Sequence, residues 1–471
     1  MIAHSPTLAR RADRVAMLDG GRVVQTGKPD DLIATDGTLG RAAAERTGGA
    51  EDKRVERRRP PTPAARRPVP SIADDRLPHT SVLLDPDAIA PLLARSFDRG
   101  RPVDEVSIRY VRYKPGRALV VQYGVTANGR SHDAVGLITS GTRLARHAEE
   151  PENVALARLA SGRSEAASLL AYDEEVGCLV QWYPLDVSLP TLATPPWGLR
   201  LLLHRAGLTV RPSIEEPERL AWKPRRRAVL RVDGHVVKMY RRDGEFERAV
   251  AGQRAASALR SIVAPRFEAA DSGRRLTVQS YIAGRAVASA VDAAVDAGAL
   301  LAELHASRPN GLPEFGPMAQ LEAAAASGRL VATIAPDLEP RLERLLASLG
   351  ASVPEDAASV PSHGHFNARH LLSTPGGLAL TDFDRFCLAP PAFDLATYGA
   401  HCVFGDPDDP HEALAVLDDL VRGYGERPAH VGWYLATIVL GRAAEPFRHF
   451  DADWRVRVER MVAAAERARD T

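Results

Sequence analysis

Between residues 106 and 182 the apolar positions fall in short runs bounded by turn residues. That pattern predicts strands at Val106 to Tyr113, Ala118 to Val125, Ala134 to Ser140, Ala167 to Tyr172 and Cys178 to Trp182, with a helical stretch near Arg143 to Leu159. Ala228 to Val232 and His235 to Tyr240 alternate around Asp233-Gly234, a hairpin signal, and Phe246 to Leu259 has helical spacing. From Asp292 onward the period changes. Helices are expected at Ala297 to Ser307, Pro317 to Gly328, Asp337 to Leu349, His411 to Tyr424, Val431 to Glu445 and Asp453 to Arg469, with Pro446 as a stop. One short hairpin interrupts them: His370 to Leu372, a Pro-Gly-Gly turn, and Leu378 to Leu380. A β-rich half followed by a helical half predicts an α+β protein of two lobes.

Composition changes this picture little. The chain has 471 residues, room for two or three domains, and 45% hydrophobic residues allow a sizeable core. A formal net charge of +1 gives no support to a nucleic-acid or membrane-surface role. Cys178, Cys387 and Cys402 form neither a disulfide framework nor a zinc pattern, so a reducing cytoplasm is the natural setting. No apolar run reaches the roughly 18 residues of a membrane span, and MIAHSPTLARRADR lacks a secretory core.

Polar groups crowd both ends of the short hairpin. His363, His365, Asn367 and His370 lie before or at its first strand, and Asp382 and Asp384 follow its second. So many proton or metal ligands at adjacent strand ends predict a concave site. A second feature is internal similarity. Tyr113-Lys114-Pro115-Gly116-Arg117-Ala118-Leu119-Val120-Val121 echoes Trp222-Lys223-Pro224-Arg225-Arg226-Arg227-Ala228-Val229-Leu230 with one inserted residue, which suggests a duplicated unit. Only the second copy carries a lysine, Lys238, in its third strand; Ala134-Val135-Gly136-Leu137-Ile138 is wholly apolar. Lys238 by spacing alone fits a surface lysine on an edge strand equally well.

Residues 361–396 resemble the aminoglycoside phosphotransferase and choline kinase family, which has the protein-kinase-like fold. His363-Gly364-His365-Phe366 and His370-Leu371-Leu372 stand at its catalytic loop, Thr381-Asp382-Phe383-Asp384 at its metal-binding motif, and Pro390-Pro391-Ala392-Phe393-Asp394-Leu395-Ala396 at the segment that follows. The resemblance implies ATP and Mg²⁺ as cofactors and a small-molecule hydroxyl as phosphate acceptor. It puts Lys238 on the phosphates with Glu247 or Glu245 as its helix partner, the Gln279 to Tyr281 stretch against adenine, Asp382 and Asp384 on metal, and His363 and Asp394 as structural supports. Two departures fall on the chemistry. His365 stands where the catalytic Asp is expected, and His370 where a metal-binding Asn or Gln is expected. An imidazole there lowers the expected affinity for Mg²⁺ and favours Mn²⁺ or another divalent metal. Lys223 to Arg227, at the nucleotide loop, contains no glycine; its arginines suit phosphates or a solvated turn.

The resemblance divides the chain into a kinase-like N-lobe (206–290), a helical C-lobe (291–471) and an extra N-lobe-like unit (76–205) that is structural or covers the substrate. Residues 45–75, rich in Arg and Pro, read as a disordered linker. Residues 1–44 resemble the C-terminal end of an ABC-transporter ATPase, with Ile2-Ala3-His4 at its switch-histidine loop and Gly20-Gly21-Arg22-Val23-Val24 in its closing hairpin. Neither a P-loop nor the ABC signature occurs, so His4 has no ATPase role; the segment reads as a fusion remnant that hints at a link to a transporter.

Three functions follow. One is an ATP-dependent small-molecule kinase in which His365 lies near the acceptor hydroxyl, slow because loss of a general base costs about 10²- to 10⁴-fold. Another is a pseudokinase that binds nucleotide or ligand without transfer. The third is a transition-metal site of His365, His370, Asp382 and Asp384 with unrelated chemistry. Asp406 to Asp409 could serve a cationic acceptor, but reads more simply as a loop.

Overall fold

The computed structural model describes residues 15–19, 22–27, 72, 74–98, 101–141, 143–355, 358–405 and 410–469. It divides into two units, Met1–Arg67 and Pro68–Thr471. In the first, strands β1 (Val15–Asp19) and β2 (Arg22–Gly27) form an antiparallel pair. His4, Gly20, Gly21, the 45–71 linker stretch and Asp406 to Asp409 lie outside the described residues.

The second unit opens with helices α1 (Thr80–Leu84) and α2 (Pro86–Phe97). An antiparallel sheet follows: β3 (Glu105–Lys114), β4 (Ala118–Ala127), β5 (Arg130–Thr139), helices α3 (Arg143–Glu149) and α4 (Pro151–Ala160), then β6 (Leu170–Asp173) and β7 (Cys178–Trp182). The single helix expected over 143–159 is two, because Pro151 cannot continue the first and starts the second. After α5 (Pro196–Arg205) the pattern recurs as β8 (Glu218–Lys223), β9 (Arg227–Val232), β10 (His235–Tyr240), α6 (Asp243–Ser257), β11 (Phe267–Asp271) and β12 (Leu276–Ser280).

Strand order makes the repetition explicit. The first sheet runs β3-β4-β5-β7-β6 and the second β8-β9-β10-β12-β11. In each the opening turn is closed by the same backbone bond, Arg117 N to Lys114 O and Arg226 N to Lys223 O, both 3.0 Å. Lys114 pairs with Ala118 and Lys223 with Arg227, so the two turns have equal length and the inserted residue expected from sequence is absent. Arg227 therefore stands where the first copy has Ala118, and Lys238, opposite Val229, where it has Leu137, opposite Val120. Each turn is also held by an aspartate from upstream: Asp74 accepts from the Tyr113 hydroxyl and Gly116 N, Asp186 from Trp222 Nε1 and Arg225 N.

The two sheets share a core. Val120, Val135, Leu137 and Leu179 of the first pack with Leu230, Val237, Met239 and Val278 of the second, while the other face of the first meets Leu93 and Phe97 of α2. Period-two alternation turns Lys238 away from that shared core.

Next come β13 (Arg285–Ala286), α7 (Ala294–Ala306), α8 (Pro317–Ile334), α9 (Glu339–Ala351), β14 (Val360–Ser362), the hairpin β15 (Leu371–Thr374) and β16 (Gly377–Leu380), and β17 (Cys387–Ala389). Helices α10 (Ala392–Gly405), α11 (Pro410–Tyr424), α12 (Val431–Arg442), α13 (Glu445–Arg448) and α14 (Trp454–Arg469) complete the chain. Pro446 does not stop α12, which ends at Arg442; it lies in the first turn of α13, where its missing N–H costs nothing. The fold is α+β, a β-rich half in which one five-stranded sheet occurs twice followed by a helical half. No helix among the described residues is long and apolar enough to cross a membrane.

Candidate active site

Lys238 lies on β10, in the middle of its sheet, and only 4% of it is exposed. It is no edge-strand surface lysine. Its Nζ donates to Asp382 Oδ1 at 2.5 Å and to Asp384 Oδ1 at 2.7 Å, joining the second sheet to the turn after β16. Burial alone would lower the lysine's pKa, but the two carboxylates outweigh it and hold the ammonium charged. Burial likewise would raise that of Asp382, yet Lys238 and then Arg227 hold it well below the usual carboxylate range.

The expected partner, Glu247, is exposed on α6 and makes no pair with Lys238. The face of α6 turned inward is Phe246, Ala249, Gly252 and Gln253, and a residue one position past Phe246 points away from it. Gln253 takes the inward place, donating to Asp384 Oδ1 at 2.9 Å and to the Tyr240 hydroxyl at 3.2 Å. The helical period from Phe246 through Ala249 to Gln253 was the signal that could have found it. Tyr240 was missed as well, and of the 223–227 arginines it is Arg227 that reaches the site: the Tyr240 hydroxyl donates to Asp384 Oδ2 at 3.0 Å, and Arg227 Nη1 donates to the same oxygen at 2.9 Å. Arg227 also approaches Asp382 Oδ1 at 3.5 Å. Of the loop's other arginines, Arg225 gives its backbone N–H to Asp186, and Arg226 is exposed.

Opposite this cluster is the loop between β14 and β15. Gly364 has φ +76°, and a Cβ there would come within 2.2 Å of the Arg385 carbonyl oxygen, so only glycine fits. Asp394, at the start of α10 and fully buried, accepts from His363 N at 2.6 Å and Gly364 N at 3.0 Å. His305 bridges Asp394 and the Tyr424 hydroxyl. His363 Nε2 donates to Thr381 O at 2.9 Å, which ties the loop to the strand that delivers Asp382.

His365 and His370 meet edge to face with ring centroids 4.9 Å apart. His370 Nε2 lies 3.5 Å from Asp382 Oδ2, and its Nδ1 lies 3.0 Å from His365 O. Burial pushes His370 down to about 4, against the pull of Asp382, so it is neutral at pH 7. Burial, and then His370, holds His365 well below the usual histidine range. Gln279 and Tyr281 have other neighbours. Gln279 is buried opposite Val236, and Tyr281 N donates to Gly234 O at 2.8 Å while Arg231 stacks 3.9 Å from its ring.

A buried lysine on the third strand, an Asp-Phe-Asp turn and a loop braced by Asp394 are thus assembled at one place. Residues 215–431 match the model of the phosphotransferase enzyme family, APH. The resemblance carried by residues 361–396 is borne out for the segment that holds the site. No curated protein matches the chain. Solved structures similar to it include a choline/ethanolamine kinase family protein from Mesorhizobium loti, 16% identical over 57% of this chain and 95% of its own with a TM-score of 0.42. Aminoglycoside phosphotransferase APH(3'')-Id from Streptomyces rimosus is 19% identical over 52% and 97%, TM-score 0.38. Macrolide 2'-phosphotransferase MphH from Brachybacterium faecium is 22% identical over 56% and 96%, TM-score 0.37.

The donor set of this segment does not match Mg²⁺. That ion wants near-octahedral oxygen ligands. Asp384 has its oxygens engaged by four protein donors, and Asp382 is flanked by an imidazole where an amide oxygen was expected.

Proposed function

We propose that residues 206–471 form a nucleotide-binding phosphotransferase unit that transfers phosphate from ATP to a hydroxyl of a small molecule, slowly. The observation that carries this reading is the buried, charged Lys238 on a central strand, facing Asp382 across the two lobes. Phosphoryl transfer is mostly positioning and charge neutralisation. Lys238 and Arg227 together supply two cations where phosphate oxygens would sit, exchanging carboxylate partners for phosphate ones. His365, neutral at pH 7, is able to accept the acceptor's proton, though with a reach unlike that of a carboxylate. The N-lobe-like unit at 76–205 covers the back of the nucleotide-binding sheet and has no lysine in its third strand.

A second reading is a pseudokinase that binds nucleotide without transfer. Arg227 favours it: an arginine paired with both Asp382 and Asp384 neutralises the carboxylates without a metal.

Thermal unfolding of the full-length protein with ATP, alone and with Mg²⁺ or Mn²⁺, tests both, since a ligand of the folded state raises the midpoint by mass action. A rise that Lys238→Met removes supports a nucleotide site, and no rise under any condition sinks both readings. ADP release with pooled hydroxyl acceptors separates them. Turnover that increases by about 10²-fold or more in His365→Asp supports transfer limited by the missing base; binding without ADP release in either protein leaves the pseudokinase.

A further inference from the structure

The two carboxylates expected to share a metal differ in what is left of them. Asp384 Oδ1 accepts from Lys238 Nζ and Gln253 Nε2, and Oδ2 from Arg227 Nη1 and the Tyr240 hydroxyl, at 2.7 to 3.0 Å. A carboxylate has about four lone-pair sites, and here all are used. Asp382 gives Oδ1 to Lys238 and Arg227, while among the described residues its Oδ2 faces His370 Nε2 at 3.5 Å. His365, His370 and Asp382 each offer one ligand atom, and these atoms all lie within 4.8 Å of one another.

The spacing suits an ion. Bonds of about 2.1 Å in a tetrahedral site separate the ligands by about 3.4 Å. The His370 to Asp382 distance, 3.5 Å, is already there. The outer contacts suit one too. His370 Nδ1 donates to His365 O at 3.0 Å, which fixes the proton on Nδ1 and turns the Nε2 lone pair toward Asp382. Asn367 Nδ2 converges on the same carbonyl at 2.7 Å, which accounts for its 3.2 Å approach to His370 Nδ1. A backbone carbonyl on the far nitrogen is the usual means by which metal-bound histidines are oriented, and Lys238 on Asp382 Oδ1 orients the carboxylate in the same way.

We propose that His365, His370 and Asp382 form a site for one divalent transition metal of the Zn²⁺ or Co²⁺ kind, in preference to Mg²⁺, and that Asp384 is not a ligand. Two imidazoles and one carboxylate suit such ions, whereas Mg²⁺ favours oxygen. Three protein ligands leave a coordination position open for water or a phosphate oxygen. The proposal deepens the phosphotransferase reading, resting on it only for the phosphate that would take that position, and in the metal-bound protein the single lone pair of His365 is a ligand and no longer the base of that reading; metal binding itself stands apart.

The test is titration of chelator-stripped, full-length protein with Co²⁺, followed by its visible absorption, with Zn²⁺ by competition against a chromophoric chelator and Mg²⁺ by calorimetry. One equivalent of Zn²⁺ binding at least about a hundredfold more tightly than Mg²⁺ is expected. His365→Gln and His370→Gln are each expected to weaken it by about tenfold or more. Equal or tighter Mg²⁺ binding, no bound Co²⁺, or binding unchanged in the double variant overturns the proposal. The ATP midpoint shift read in the same samples separates the two claims. Zinc bound without any ATP response removes the phosphotransferase reading and keeps the metal site; an ATP response with no transition metal bound does the reverse.

Discussion

Two sheets in this chain have the same strand order, the same turn and the same aspartate anchor on that turn, yet only one faces chemistry. The difference lies in what covers the third strand. In the second copy that strand's Lys238 looks onto the Asp382 and Asp384 turn. In the first, Leu137 occupies the matching register, and the face it lies on is covered by the back of the second sheet. A lysine there would have no carboxylate and no water, and an unpaired buried charge is among the costliest groups a core can hold. The first copy's apolar strand therefore follows from its packing. A duplicated lobe stacked on its sibling loses the open face that the second copy turns toward Asp382 and Asp384.

The same substitution at both register positions gives the sharpest test. Lys238→Met removes one partner from a buried ion cluster and is expected to cost about 3–5 kcal/mol. Leu137→Met conserves volume and is expected to cost under about 1.5 kcal/mol. Urea unfolding measures both, and equal costs would break the comparison.

One pH effect is expected from the second copy's cleft. His370 is held at about 4, below its ordinary value of 6.5, so below pH 6.5 the unfolded chain takes up a proton that the folded chain refuses. Its contribution is complete above the ordinary value, declines between 6.5 and 4, and is gone below that. A shift of this size corresponds to about 3 kcal/mol at most. In chelator, the stability lost between pH 7 and pH 4.5 should shrink by up to that amount in His370→Gln. Asp382, whose pKa is depressed, acts lower: its contribution is lost only as pH falls below the usual carboxylate range.

The turn anchors come next. Asp186→Ala leaves Arg225 N–H and the Trp222 indole N–H without their acceptor and should cost about 1–3 kcal/mol. Asp74→Ala, where the site is less buried and water can replace the acceptor, should cost less. Differential scanning calorimetry of the pair ranks them. The smallest effect is at the turn tips. Arg225 has φ +57° and Gly116 has φ +62°, so Arg225→Gly should stabilise by up to about 1 kcal/mol and Gly116→Arg should cost a similar amount. Opposite signs are the expected outcome; the same sign would mean the two turns are not equivalent.

Much of this was legible in the residues. Strands 118–127, 178–182 and 235–240 begin where alternation and turns predict, strand 227–232 begins one residue earlier than expected, and the 361–396 motifs lie together as their crowding of polar groups suggests. Glu247 was misassigned because proximity to the start of α6 does not tell which face of the helix turns inward. The hidden equivalence of Arg227 with Ala118 needed strand register, which a one-residue slip in alignment conceals.

By itself, then, the sequence determined the elements, the duplicated unit and the set of groups available for chemistry, because periodicity and turn residues act over a few positions along the chain. Tertiary structure alone decided which of those groups meet. Asp384 receives Arg227 from 157 residues upstream and Gln253 from 131, and these long-range donors, by filling its oxygens, leave Asp382 as the carboxylate beside His370. Local pattern carries no record of such a division, since it depends on how two lobes close over a shared cleft.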